Sequence, residues 1–575
     1  DDNYSTRVYN KKAGGFAISY LDYSTPIQES MEKRFAIRHR LEKMNPLATV
    51  SEAVEPIVYY LDNGTPEPVR SALLDGARWW NEAFESIGFK DAFQVKMLPD
   101  DADPLDVRYK VIQWVHRSTR GWSYGMSVVD PRTGEIIKGH VSLGSLRVRQ
   151  DFLIAQALSN KPFAEREDNH QIMLDMALAR IRQLSAHEIG HTLGLAHNFA
   201  ASTNNRASVM DYPHPMIKLV NNEISFNKAY DIGIGEWDKV SVAYAYSTFE
   251  ENEEEQLKLI LENAEKSGLK YITDSDARAQ VGEKSVAHLW DNGSDPIKEL
   301  KNVLQVRNKA IQQFSIDNIR EGESYATLED LFVPIYFFHR YQIEAVSKIV
   351  GGMDYSYNVK GDGNELDRVL EPDVQRSAVN QLLDVLNVNT LAIPKDKLKL
   401  FPARGWGDRT RESFKSKTGV AFDPFGAAAT AADFTLNLLL NPERVSRLVQ
   451  QKALDPNQLG FEELLNDLET STIQQSHDDT YLNQVQQSIN IVVLERLMRL
   501  AQDDNAYPQV QMSVEDRLLA MKDHLSRSSS KSTYINGMII KIDRYFDDPS
   551  SYEFNNVPKI PDGSPIGMGE CSYMH

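Results

Sequence analysis

His187-Glu188-Ile189-Gly190-His191-Thr192-Leu193-Gly194-Leu195-Ala196-His197 is the stretch on which the reading of this chain turns. In a helix, side chains four residues apart stand on the same face, so His187 and His191 present two imidazoles side by side, as a tetrahedral zinc requires. Glu188 projects close to the metal position but slightly aside, where a carboxylate can take a proton from a water activated by the ion. Gly194 is suited to end the helix in a left-handed turn. The chain can then bend back and bring His197 under the metal as third ligand, with a fourth position left open. His-Glu-x-x-His alone arises in unrelated helices, but the longer pattern, in a chain of 575 residues with 13 His and 31 Gly, is far more specific.

A second motif follows at Ser208-Val209-Met210-Asp211-Tyr212. The pair of motifs resembles the metzincin metallopeptidases, in which a long zinc motif is followed by a methionine-containing turn beneath the metal; Met210 matches that methionine. The resemblance also implies a role for Tyr212. In astacin-like and serralysin-like metzincins a tyrosine at this place binds the zinc as an extra ligand and then swings to steady the transition state. A phenol can donate a hydrogen bond to a developing oxyanion, which gives that role a physical basis. Asn198, directly after the third histidine, matches neither the glutamate of astacins nor the proline of serralysins. Asp238 resembles the acid that many metzincins bury beside the methionine turn; a solvated first-turn carboxylate, favoured by the helix dipole, is the alternative.

Ala186–Thr192, His197–Phe199, Asp130–Glu135 and Val359–Gly363 also resemble the large zinc-dependent metalloproteases of Bacteroidetes and other Gram-negative bacteria, over nearly the whole chain. Those proteins carry domains of unknown function on both sides of the zinc motif and are usually exported. The resemblance implies that residues 1–50 are the tail of an upstream domain and that the protein is periplasmic or secreted.

Outward from the motif, residues 56–250 alternate strand and helix patterns. Ile57–Leu61, Phe93–Met97, Tyr109–Val115, Tyr124–Val129 and Ile136–Leu143 read as strands. Asp130-Pro131-Arg132-Thr133-Gly134 between the last two is turn chemistry. Pro66–Ile87, with apolar residues at spacings of three and four, predicts one helix; a second runs from about Asn169 to Leu193, and a third from Glu236 to Tyr246. The order is α/β or α+β, a twisted sheet backed by helices. With the resemblance, the expected fold class is α+β: a metzincin-like zincin domain with a mostly parallel sheet, an antiparallel edge strand, a backing helix and an active-site helix. Tyr124–Val129 matches the edge strand that pairs with extended substrate, and Pro213–Met216 the wall beyond the scissile bond. After the acidic run Glu250–Glu255 the patterns are mainly helical: 254–266, 297–316, 327–350, 370–388, 427–451, 476–502 and 513–524. The expected organisation is an arm over 1–50, a catalytic domain over 51–250 and a mainly helical domain over 251–575.

Composition excludes several classes. Against 63 basic residues stand 82 acidic ones, a net charge of −19, which argues against nucleic acid as a partner. The one cysteine, Cys571, permits neither an internal disulfide nor a cysteine-rich zinc site. No run of 18 apolar residues is present, so no membrane span is expected. Asp354–Asp367, with Asp362, Asn364 and Glu365, offers oxygen donors for calcium but lacks the spacing of a calcium loop; Cys571 and His575 fall in a tail. The expected activity is peptide hydrolysis of a protein or peptide substrate, with zinc held by His187, His191 and His197 and with Glu188 as general base. A binding or scaffold protein built on a zincin fold, and a zinc hydrolase of non-peptide amides, are the alternatives; an intact Glu188 argues against the first, since a structural site has no need of a base.

Overall fold

The computed structural model describes residues 4–116, 123–279, 281–361, 367–405, 407, 413–527 and 532–561. Asp362, Asn364 and Glu365, considered above for calcium, lie outside the described residues, as do Cys571 and His575.

Runs of β-branched and aromatic residues fit a pleated, half-buried surface, and five of them form one sheet. Its strands are β1 (Ile57–Leu61), β2 (Phe93–Met97), β3 (Lys110–Val115), β4 (Tyr124–Val129) and β5 (Ile136–Gly144), in the order β2-β1-β3-β5-β4. All neighbours are parallel except β4, which runs antiparallel to β5 at the edge. This is the mostly parallel sheet with an antiparallel edge strand that the sequence predicts.

Two helices pack behind the sheet. α1 (Val69–Arg78) buries Val69, Ala72, Leu73, Gly76 and Ala77. The expected helix over 66–87 is tightened at Trp79, whose N–H bonds back to Gly76 O, and resumes as Trp80–Ser86. α3 (Gln171–Thr192) carries the zinc motif and lies against α1. A Cβ on Gly76 would overlap the Arg182 carbonyl, so glycine there sets how closely the two helices approach. Trp80 Nε1 donates to Ala186 O at 2.7 Å and Ser185 Oγ to Leu73 O at 2.8 Å, pinning α3 at the turn before His187.

Between the sheet and α3 the chain forms α2 (Leu146–Leu158), a helix the periodicity does not predict. It buries Arg147, Asp151 and Gln156 along with its apolar residues, so no polar stripe separates from an apolar one. α4 is Glu236–Tyr246 and α5 the short Asp274–Arg278.

Near the N-terminus Ala17–Leu21 pairs antiparallel with Glu32–Ala36. This hairpin is tied to the end of α3: Phe16 N–H donates to Gly194 O at 2.8 Å and Ala196 N–H to Gly14 O at 2.9 Å. The later helices share one core, in which Leu331, Phe332, Val333, Ile335 and Tyr336 are fully buried; burial of each is worth roughly 1.5–3 kcal/mol. The expected 427–451 helix is two, Pro424–Leu439 and Pro442–Leu454, because Asn441 caps the second and Pro442 occupies its first position. Contacts cross residue 250 freely, as the site shows.

Candidate metal centre

The 3.6-residue period places His187 and His191 one turn apart on α3, with ring centroids 4.8 Å apart. α3 ends at Gly194, whose φ of +91° is open to glycine alone without strain and whose hypothetical Cβ would overlap Ile37 O. The reversal carries His197 back until its Nε2 stands 3.1 Å from His191 Nε2. One ligand atom from each of His187, His191 and His197 lies within 4.8 Å of the others, and all three residues are buried.

The donor set fits a metal ion. His187 Nδ1–H donates to Val209 O at 2.7 Å, His191 Nδ1–H to Leu195 O at 2.9 Å, and His197 Nδ1–H to the Asp274 carboxylate at 3.0 and 3.1 Å. With each Nδ1 committed as donor, each Nε2 keeps its lone pair. Three lone pairs converging in a buried space repel unless a cation lies between them. His187 Nε2 is buried and has no hydrogen-bond partner among the described residues. Zinc–nitrogen bonds of about 2.0–2.1 Å put tetrahedral ligands roughly 3.4 Å apart, close to the observed His191–His197 spacing. Burial and the neighbouring imidazoles hold His187 well below the usual histidine pKa and His191 at about 3, so both imidazoles are neutral at pH 7.

Met210 sits directly beneath α3. A Cβ on Gly190 would overlap Met210 Sδ, so glycine at the fourth position of the motif lets the turn reach the helix. The turn is held by Asp238 at the start of α4. Asp238 is fully buried; Oδ1 accepts from Ser208 Oγ at 2.6 Å, and Oδ2 from Val209 N–H at 2.9 Å and Gly235 N–H at 2.7 Å. It is therefore the buried acid beside the turn and not a solvated first-turn carboxylate. Burial raises its pKa to about 6 against the pull of these donors. Asn198 explains its own position. Its N–H donates to Met210 O at 3.1 Å and its Nδ2 to Lys270 O at 2.9 Å, joining the third ligand's loop to the methionine turn and to residues beyond it.

The Tyr212 ring lies 4.7 Å from His197 and 5.3 Å from His187, and it stacks on Trp290 at 4.6 Å. Its hydroxyl accepts from Arg278 Nη2 at 3.2 Å, while Arg278 Nε donates to Asp274 Oδ2 at 2.9 Å. Burial would raise the Asp274 carboxyl, but His197 and Arg278 outweigh it and hold it well below the ordinary range. Asp274, Arg278 and Trp290 escape a sequence reading, because nothing local marks an acid 77 residues after its histidine as that histidine's partner. Pro213 lines a small cavity behind the turn, and His214 is buried against Phe338 and Tyr341.

Glu188 is buried, with Oε2 unpartnered. Burial raises its pKa to about 8, opposed by the charges of Arg180 and Arg147 and by a hydrogen bond from the Gly125 backbone. Gly125 belongs to β4, and a Cβ there would overlap Glu188 O, so the edge strand runs alongside the motif only because residue 125 is glycine.

A family model described as Met-zincin matches residues 169–480, more than half of the chain. A second, described as a domain of unknown function (DUF5117), matches residues 1–44. No curated protein and no solved structure matches the chain.

Proposed function

Because the chain belongs to the Met-zincin family of zinc metalloproteases, we propose that it is an endopeptidase in which His187, His191 and His197 hold one zinc and Glu188 is the general base. The observation that carries this reading is the convergence of three buried Nε2 lone pairs beside an unpartnered carboxylate oxygen of Glu188. When bound, zinc supplies Lewis acidity, polarising the scissile carbonyl and lowering the pKa of a water. Glu188 accepts the proton of the attacking water and delivers it to the leaving amine.

Extended substrate adds to the free edge of β4 through backbone hydrogen bonds, which tolerate varied sequence. Tyr212 donates its hydroxyl proton in a hydrogen bond to the developing oxyanion. Residues 51–250 carry the cleft, the segment from Asp274 to Trp290 closes its far side, and the remaining helices buttress that segment. An exported location accompanies this reading; among the described residues no helix is long and apolar enough to cross a membrane.

The test is a peptide-library digest with the zinc-loaded protein, with Glu188→Gln, and with a chelator present. Cleavage inside peptides that is lost in both controls, with zinc still bound by Glu188→Gln, is expected. Equal cleavage by Glu188→Gln would falsify the mechanism, and hydrolysis confined to small non-peptide amides would reassign the substrate.

A further inference from the structure

Beside the methionine turn lies a partly open cavity of about 30 Å³. Asp211 comes to it from the turn itself, Ser202 from the loop after the third histidine, and Asp291 and Asn292 from the segment that covers Tyr212. All four are at least nine-tenths buried. Asp211 Oδ1 accepts the Tyr212 N–H at 2.7 Å, and Asp291 Oδ2 accepts Ser202 Oγ at 3.3 Å. Two oxygens are left over: among the described residues, Asp291 Oδ1 and Asn292 Oδ1 are buried and have no hydrogen-bond partner. Asn292 Nδ2 is already committed to His214 O at 3.1 Å, so the amide orientation that exposes Oδ1 is fixed by a bond elsewhere.

The charges around the cavity do not balance. Asp211, Asp291 and Asp231 line it with one cation, Arg206. Arg206 spends its donors on Asp231 at 3.3 Å and on the carbonyls of Ala229 and Lys228. Lys348, the other cation felt by Asp291, donates to the carbonyls of Ala277 and Ala287. Among the described residues, two buried carboxylates thus share a water-sized space with no cation bonded to either, a costly arrangement unless something neutralises it. The backbone is also held against preference: Trp290, directly before Asp291, has φ +64°, a region that costs a bulky residue about 1–3 kcal/mol and persists only where its surroundings impose it.

We propose that this cavity binds a hard divalent cation, calcium, through Asp211, Asp291 Oδ1 and Asn292 Oδ1. Oxygen-only donors, two of them carboxylates, in a space of this size match calcium and not a second zinc, which prefers nitrogen and sulfur. Burial pushes the Asp211 carboxyl well above its ordinary range and that of Asp291 to about 7. The ion would staple residues 290–292 to the methionine turn. Since Trp290 stacks on Tyr212 and its N–H donates to Tyr212 O at 3.0 Å, calcium would steady Tyr212 without entering the chemistry.

The test uses the full chain loaded with zinc, at fixed free zinc and moderate salt, and reads binding and melting instead of proteolysis, so its failure is distinct from failure of the endopeptidase reading. Equilibrium dialysis is expected to find one calcium bound per chain in the wild type and none in Asp291→Asn. Saturating calcium is expected to raise the wild-type Tm by about 2 °C or more over equimolar magnesium, with Asp291→Asn unmoved and zinc content equal in both. Asn292→Asp, which adds a carboxylate, is expected to bind calcium more tightly and supplies the comparison if Asp291→Asn fails to fold. Absence of bound calcium in the wild type would mean that water or a shared proton fills the cavity and overturns the proposal. So does calcium binding that is equally strong in Asp291→Asn and unaltered in Asn292→Asp, which places the ion elsewhere on this acidic chain.

Discussion

The carboxylate of Asp274 stands 3.0 Å from Nδ1 of His197, and Arg278, one helical turn on, grips the same carboxylate and the hydroxyl of Tyr212. The proposed third zinc ligand is therefore oriented from α5, well past the segment that contains the motif. A histidine whose second nitrogen donates to a carboxylate is fixed in tautomer and made a better ligand. Asp274→Ala is expected to weaken zinc binding by about 10–100-fold. Competition with a chromogenic chelator measures this, and an unchanged zinc affinity would show that His197 is held by packing alone.

Gly190 and Met210 make a different kind of contact, one of shape. A methyl on residue 190 has to displace the sulfur of Met210 or the ring of Trp80, both in the core. Gly190→Ala is expected to cost about 1–3 kcal/mol in denaturant unfolding. Shortening the opposing side chain in Gly190→Ala/Met210→Val should recover part of that loss, whereas strictly additive effects would mean that the two residues do not press on each other.

The Tyr212 hydroxyl and the Arg278 guanidinium are separable by kinetics. If the phenol steadies the oxyanion, Tyr212→Phe lowers kcat by about 10²–10³ with little change in KM. Arg278→Ala should move kcat the same way by less, because it frees the phenol without removing it. A Tyr212→Phe enzyme with wild-type kcat takes the hydroxyl out of the chemistry and leaves the ring as packing between His197 and Trp290.

His39 links pH to stability. It is buried in the segment after the N-terminal hairpin, with Nε2 3.0 Å from Thr192 O and 3.3 Å from Tyr59 Oη. Burial, helped by the charge of Lys110, lowers its pKa to about 3. An unfolded chain takes up that proton near pH 6.5, the folded one near 3, so between those values the unfolded state binds more protons. The contribution of His39 to stability is complete above pH 6.5 and shrinks as pH falls toward 3, by roughly 3–5 kcal/mol over the window. His39→Gln should show a flatter dependence of stability on pH than the wild type, so that the wild type's advantage shrinks as pH falls from 6.5 toward 3. A difference independent of pH would show that His39 titrates normally.

Much of the site is legible in the sequence because it is local. The helical period alone aligns His187 with His191, and Gly194 marks where the helix must reverse toward His197. Patterns of apolar residues identify all five strands of the sheet, and the turn chemistry of Asp130–Gly134 marks the connection between β4 and β5. What defeats the pattern is burial of polar groups: α2 hides Arg147, Asp151 and Gln156 inside, so its sequence carries no amphipathic stripe. The splitting of the helices after residue 326 depends on caps such as Asn441, which weigh less than the apolar period that spans them.

The chain by itself determined the three imidazoles, the carboxylate beside them and the methionine beneath, since each lies within one helix or one short return of it. Tertiary structure alone decided what holds them. Asp274 and Arg278 reach the site from α5, Asp238 from α4, Gly125 from the edge strand, and Asp291 from beyond Trp290. Long-range partners are chosen by the path of the folded chain, and a carboxylate carries no mark of the histidine it will face until packing has brought the two together.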